Sequence, residues 1–248
     1  MRGPHWKNWI PLLFWLALWA LAAAWVGKEL LLPSPWAVVC ALAVLVQTPA
    51  FWLSCLSTLG RILAGFGLAV LAGTGLGVLT ARWPWCDLLL TPGLRMVRTI
   101  PVVSFILLLF FWLPNSLVPV CVCSLMGTPI IWRATRQGIA QADPALLEAA
   151  AHYRLTPWRT FRFVRLPAAM PALASGWETA LGLCWKSGAS AEVLCQPKWG
   201  AGTQLQISKA FLDSPGLFAW TAVIVLGSLT MEGLLRLLLR QWTRRDQL

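Results

Sequence analysis

The sequence predicts an all-α, polytopic membrane protein with about six transmembrane helices, and three observations carry that expectation. Of its 248 residues, 58% are hydrophobic and only 12% are charged, whereas ordinary soluble domains carry about 25% charged residues. Apolar runs recur at roughly the 20-residue length that a helix needs to cross a hydrocarbon core about 30 Å thick. Finally, 15 of the 20 Lys and Arg fall on one side of the alternating topology these runs define. A soluble domain could not present so much apolar surface to water, and disorder is excluded by the same abundance of apolar residues. The net charge of +11 would suggest nucleic acid in a soluble protein; in a membrane protein it records orientation.

The spans follow in order. Trp9 to Val26 is apolar and uncharged. Arg2 and Lys7 before it and Leu21-Ala22-Ala23-Ala24 within it also suit a secretory signal, although the run is long for one and the downstream topology is the same either way. Pro33 to Phe51 is apolar but bracketed by Pro33, Pro35 and Pro49, which suits an interfacial helix or a wall of the bundle. The second span covers Leu59 to Thr80 and includes Arg61. Its Gly65, Ala69, Gly73 and Gly77 recur every fourth residue, a small-residue ridge for close helix packing that could also slide during gating. Ile100 to Leu113 is the third span, broken by Pro114-Asn115, and Leu117 to Trp132 the fourth; both are short. The fifth runs from Pro167 to Ala191 and the sixth from Leu217 to Leu239, so that residues 1–248 read as a single transmembrane domain.

Six spans place both termini on one side. That side holds Arg2 and Lys7, then Arg82, Arg95 and Arg98, then Arg133, Arg136, Arg154, Arg159, Arg162 and Arg165, and at the end Arg236, Arg240, Arg244 and Arg245. The opposite loops hold only Lys28, Lys198 and Lys209, while Arg61 and Lys186 fall within spans. Positive residues accumulate in the cytoplasm, so the arginine-rich side is cytoplasmic.

The longest arginine-rich loop, residues 143–166, has its own architecture. Asp143-Pro144 and Thr156-Pro157 each pair an N-cap with proline at the first helical position. Two short helices are expected, broken at Tyr153 to Leu155, with the second stopped by Pro167. Arg159, Arg162 and Arg165 recur every third residue, which suits a helix lying on anionic lipid as well as one facing a protein.

Within that loop, Glu148-Ala149-Ala150 followed by a basic stretch and Leu166-Pro167 resembles the "EAA" loop of ATP-binding-cassette importer permeases. Arg98-Thr99-Ile100-Pro101 resembles the R-x-I-P segment of that family, and Leu59-Gly60-Arg61 with Gly65, Gly67, Gly73 and Gly77 its glycine-rich second span. Glu192 followed by Trp199-Gly200-Ala201-Gly202 resembles the fifth-span glutamate and an external glycine segment, and Glu232 stands where Asp is usual. The likeness covers roughly residues 33 to 245 and is nearest to the nitrate/sulfonate/taurine branch, which includes importers of vitamin precursors.

The resemblance implies a type I importer permease fold whose loop docks on separate ATPase subunits through Glu148, Ala149, Ala150, Arg154, Arg159 and Arg162. It further implies a second permease copy, an extracytoplasmic binding protein, and a bacterial inner-membrane location. Arg154 departs from the pattern, because the family usually has Gly there, which makes a left-handed turn without steric cost; arginine should turn differently or reach the ATPase.

Ionisable residues at bilayer depth usually face a bundle interior or an aqueous cavity. In the fifth span Glu178 and Lys186 are too far apart to pair, about 12 Å along the helix. Lys186 either pairs with an acid on another helix or subunit, or lines the path and favours anionic groups. Ser190, Glu192, Gly200 and Gly202 complete the path or gate candidates, Glu192 having helix termination as its plain alternative. Seven cysteines show no zinc spacing with His5 or His152; only Cys40, Cys55 and Cys195 could face an oxidising compartment and pair there. His152 reads as a surface residue of the first loop helix.

No G-x-x-x-x-G-K-[ST], H-E-x-x-H or G-x-S-x-G occurs. The chain itself is therefore not expected to be an enzyme or to bind a cofactor or metal; ATP and magnesium would belong to the partner ATPase, and no nucleic-acid partner is expected. The alternatives are a self-contained channel or secondary transporter, which usually shows internal inverted repeats, and a membrane enzyme, which would cluster its acidic residues.

Overall fold

The computed structural model describes residues 9–245. Arg2, His5 and Lys7 lie outside them. The described chain is helical throughout: α1 (Trp9–Val26), α2 (Pro35–Val46), α3 (Pro49–Arg82), α4 (Pro84–Thr99), α5 (Val102–Phe110), α6 (Val118–Ala140), α7 (Pro144–His152), α8 (Pro157–Thr160), α9 (Leu166–Cys195), α10 (Ala201–Ala210) and α11 (Ser214–Arg245). Proline starts many of them, because the first helical N–H needs no partner. Ser34 and Thr48 cap α2 and α3 by accepting from Ala37 N and Phe51 N at 3.2 and 3.3 Å. The prolines bracketing residues 33–51 thus begin two helices, and α3 starts ten residues before the expected second span.

Among the described residues, three helices are long and apolar enough to cross a membrane: α3, α6 and the Ser214–Leu239 part of α11. α4 and α5, bent by 98° at Ile100-Pro101, together make a fourth candidate. The expected third span, 100–113, is therefore corrected: its helix is only nine residues long, about 14 Å, and the Arg-containing segment before it is part of the same bent element. The fourth span is longer than expected and reaches Ala140. α9 has length to spare at 30 residues, but its polar side chains exclude it from the apolar set.

α3, α6 and α9 form the centre. Packing in lipid gains little from hydrophobicity, so close approach has to come from small residues and interhelical hydrogen bonds. Gly65, Gly73 and Gly77 supply it on α3: a Cβ there would lie 2.5 Å from Cys123 Cβ, 2.7 Å from Ile131 Cβ and 2.5 Å from Thr135 Cβ on α6. Ala69 is fully buried between them, against Gly127. Between α6 and α9, Cys123 Sγ donates to Cys184 O at 3.1 Å and Cys184 Sγ to Cys123 O at 3.2 Å. Ile62 and Trp185 close this layer. α11 is tied to α9 by Trp185 Nε1, which donates to Ile224 O at 2.8 Å, and α1 touches α11 through stacked Trp19 and Phe218. The seven cysteines are free thiols; of the three that could have paired, Cys40 is exposed and Cys195 buried.

Candidate functional site

The loop forms as its caps dictate. Ala145 N donates to Asp143 Oδ1 at 2.9 Å, and Arg159 N to Thr156 Oγ1 at 3.4 Å. Glu148 and Ala149 are exposed and Ala150 is buried. Arg154, Arg159 and Arg162 are exposed, as are Leu146, Tyr153 and Trp158, so the loop presents an apolar and cationic surface outward. His152 is exposed and meets the Tyr153 ring edge-on. Behind the loop a cavity of about 640 Å³ separates it from the end of α3, lined by Leu147, Leu155, Trp158, Phe161, Arg82 and Arg165.

Two details differ from expectation. Arg154 does not avoid the glycine conformation: its φ is +50°. Arg154 N donates to Ala151 O at 3.0 Å and Leu155 N to Ala150 O at 2.9 Å, the paired bonds of a Schellman helix stop. The hydrogen bonds compensate the Cβ cost of the left-handed turn. Arg154→Gly is accordingly expected to stabilise the end of α7 by about 1 kcal/mol, read as slower amide exchange in residues 147–155; faster exchange would show that the arginine side chain, not the turn, holds the loop. Pro167, moreover, does not stop the second helix. Phe161–Arg165 forms a π-helical turn that runs directly into α9, with Leu166 N donating to Phe161 O. The widened turn accommodates the ring that would otherwise clash with the preceding turn, so the second loop helix and the fifth helix are one continuous rod from Pro157 to Cys195.

Glu192, Gly200 and Gly202 come together at the other end of α9. Glu192 is fully buried. Arg61 Nη1 donates to its Oε1 at 2.6 Å, and Thr58 Oγ1 and Gly202 N donate to its Oε2 at 2.7 and 3.2 Å. Ala201 N donates in turn to Thr58 Oγ1 at 2.8 Å. The carboxylate thus sits at the N-terminus of α10, where two backbone N–H groups lack intrahelical partners, and it knots α3, α9 and α10. A Cβ on Gly200 would lie 2.8 Å from Glu192 Oε2, and one on Gly202 2.7 Å from Glu192 Cβ; both glycines are needed for this approach. The sequence separated Arg61 from Glu192 by 131 residues, and only the rule that buried charges pair could have linked them.

Lys186 and Ser190 lie elsewhere. Both are exposed on α9 and line a cavity of about 540 Å³ shared with Thr221, Ser228 and Glu232 of α11. Ser228 Oγ donates to Glu232 Oε1 at 3.0 Å. Glu178 pairs with Arg236 of α11 at 3.4 Å. A further ion pair not foreseen in the sequence joins Arg136 of α6 to Asp87 of α4 at 2.7 Å, and Thr91 donates to the other Asp87 oxygen at 2.8 Å.

The chain is 29% identical over 238 residues to the riboflavin transport system permease protein RibX of Chloroflexus aurantiacus, covering 94% of this chain and 88% of that one. It is 28% identical over 232 residues to the putative aliphatic sulfonates transport permease protein SsuC of Escherichia coli, covering 92% and 88%. Among solved structures, an amino acid ABC transporter shares the fold with a TM-score of 0.66 at 20% identity, over 82% of this chain and 97% of that one. Residues 73–244 match the model of one family, and the chain belongs to it: the binding-protein-dependent transport system inner membrane components.

Proposed function

We propose that this chain, the non-catalytic permease subunit of an ABC importer, pairs with a second copy of itself in a bacterial inner membrane with both termini in the cytoplasm. ATP hydrolysis lies on a separate subunit. The observation that carries the coupling assignment is the continuous rod from α8 through the π turn into α9. A displacement of the capped loop moves a helix that also holds the Lys186 cavity and the Glu192 knot. Packed helices shift as rigid bodies rather than deforming, so closure of the ATPase dimer beneath the loop would rearrange the far end of α9. ATP and the loaded binding protein then bias one two-state equilibrium through their different affinities for its two states. The relatives' names span riboflavin and aliphatic sulfonates; by that breadth, first selection falls to the binding protein.

In this reading Glu148, Ala149, Ala150, Arg154, Arg159 and Arg162 belong to the docking element for the ATPase, with Ala150 buried behind the exposed ones. Glu148→Lys is expected to lower both ATPase retention on co-purification and ATP-coupled uptake by about tenfold or more, since a reversed charge at an interface costs several kcal/mol. The permease alone should melt unchanged, because Glu148 is exposed and makes no ion pair among the described residues. Survival of the complex and of uptake would refute the docking assignment.

A further inference from the structure

α9 carries polar side chains along much of its length, and they are sorted. Glu192 faces inward and is satisfied by Arg61, Thr58 and Gly202. Glu178 is paired with Arg236. Ser187 is buried and donates to the helix's own Leu183 O at 2.9 Å. Ser175, Thr179, Lys186 and Ser190 are exposed, and helical spacing places them within about 60° of one another over about 22 Å of helix. The two ends of this stripe each line a cavity. One is the space of about 540 Å³ at Lys186 and Ser190. The other, about 330 Å³, lies towards the arginine-rich end and is lined by Arg98, Arg133, Gln137, Ser175 and Thr179.

The charges along this route have one sign, with one exception. Among the described residues, no carboxylate lies within ion-pair distance of Arg98, Arg133 or Lys186. The acid that does line the route, Glu232, accepts a hydrogen bond from Ser228. Polar faces at bilayer depth line aqueous cavities. A cleft lined mainly by cations, with low-dielectric walls, concentrates anions, and the planar guanidinium fork matches the oxygens of carboxylate, sulfonate or similar groups. A face packed on hydrocarbon would not leave Lys186 of α9, Arg98 of α4 and Arg133 of α6 without a carboxylate partner.

We infer that this face of α9 is the solute's route through the permease and that it favours small oxyanions, with Lys186 at its middle and Arg98 and Arg133 at its cytoplasmic exit. The inference rests on the permease reading and adds the route and the substrate class. Arg98, the first residue of the R-x-I-P segment, thereby acquires a binding role.

The test needs no identified solute and no ATP. The permease purified with its ATPase, carrying Thr179→Cys or Ser190→Cys, is treated in nanodiscs with the anionic reagent methanethiosulfonate ethylsulfonate or its cationic trimethylammonium counterpart. Modification of the new cysteine is followed by peptide mass spectrometry and normalised to free cysteine. Both sites should react, with the anionic reagent favoured about tenfold; Arg98→Gln with Arg133→Gln should cut the preference at Thr179→Cys at least about threefold, as should Lys186→Met at Ser190→Cys, with Lys186→Arg restoring it. The preference should be equal in phosphatidylcholine and phosphatidylglycerol discs.

No reaction at either cysteine would place the face against lipid or a second copy and overturn the route. Reaction without anion preference would overturn the substrate class. Loss of the preference in phosphatidylglycerol alone would assign the arginines to lipid headgroups instead. Each of these failures leaves the Glu148→Lys result intact, whereas an ATPase that never co-purifies undermines the permease reading itself.

Discussion

Replacing Glu192 with alanine is expected to remove most of the folded permease from the membrane. Arg61 is only 15% exposed and has Glu192 as its ion-pair partner. Truncating one member of a buried pair costs about 3–5 kcal/mol, because the other charge is left uncompensated. That is a large part of the roughly 5–15 kcal/mol by which folded proteins are stable. Thr58 and the backbone N–H of Gly202 lose their acceptor as well. Glu192→Gln keeps an acceptor for these two but no charge for Arg61, so it should fall between alanine and wild type. The double replacement Arg61→Met with Glu192→Leu should recover much of the loss, since removing both charges spares their desolvation. The measurement is the yield and melting temperature of monodisperse protein in detergent. A Glu192→Ala protein as stable as wild type would show that the knot contributes nothing to the fold, and would return Glu192 to consideration as a gate.

The contrast between Glu192 and Lys186 marks where sequence-level inference stops. Both are ionisable residues on one helix, six positions apart, and both qualified as path or gate residues. Helical geometry turns those positions to different sides, and tertiary packing then supplies Arg61 to one and an open cavity to the other. The partner's identity depends on contacts between segments 131 residues apart, which no local pattern encodes. What depends on local chemistry was legible: the Asp143 and Thr156 caps, the break at Tyr153 to Leu155, and the presence, though not the ends, of the apolar helices α3, α6 and α11. Arg154 and Pro167 are intermediate. Their preferences were read correctly as obstacles to a left-handed turn and to a continuous helix, yet the Schellman hydrogen bonds and the π turn outweighed those preferences. A local rule states a cost of about 1 to 3 kcal/mol, and neighbouring hydrogen bonds can repay that amount.

The glycines of α3 provide the second large effect, and one in which neighbouring positions respond with opposite signs. Gly65→Ala, Gly73→Ala and Gly77→Ala are each expected to destabilise by about 2–3 kcal/mol, the range for overpacking a tight interface. In each case the new methyl would meet an atom of α6 at 2.5 to 2.7 Å. At Gly65 and Gly73 a backbone oxygen is among the nearest atoms, Val120 O at 2.5 Å and Thr128 O at 2.9 Å, so a side-chain rotation cannot relieve the clash. Gly67 and Gly75 lie on the same helix but have nothing within 4 Å of the position a Cβ would occupy. Alanine there removes glycine's helical entropy cost and should stabilise by up to about 1 kcal/mol. For a chain of this size, 1 kcal/mol shifts the melting temperature by about 2–4 °C, so the two groups should separate by several degrees. Uniform destabilisation at all five sites would mean that a second copy packs against the open face of α3. Uniform tolerance would mean that α3 and α6 can move apart by the width of a methyl group, in which case the seam is loose enough to slide and the ridge belongs to the transport cycle rather than to the static fold.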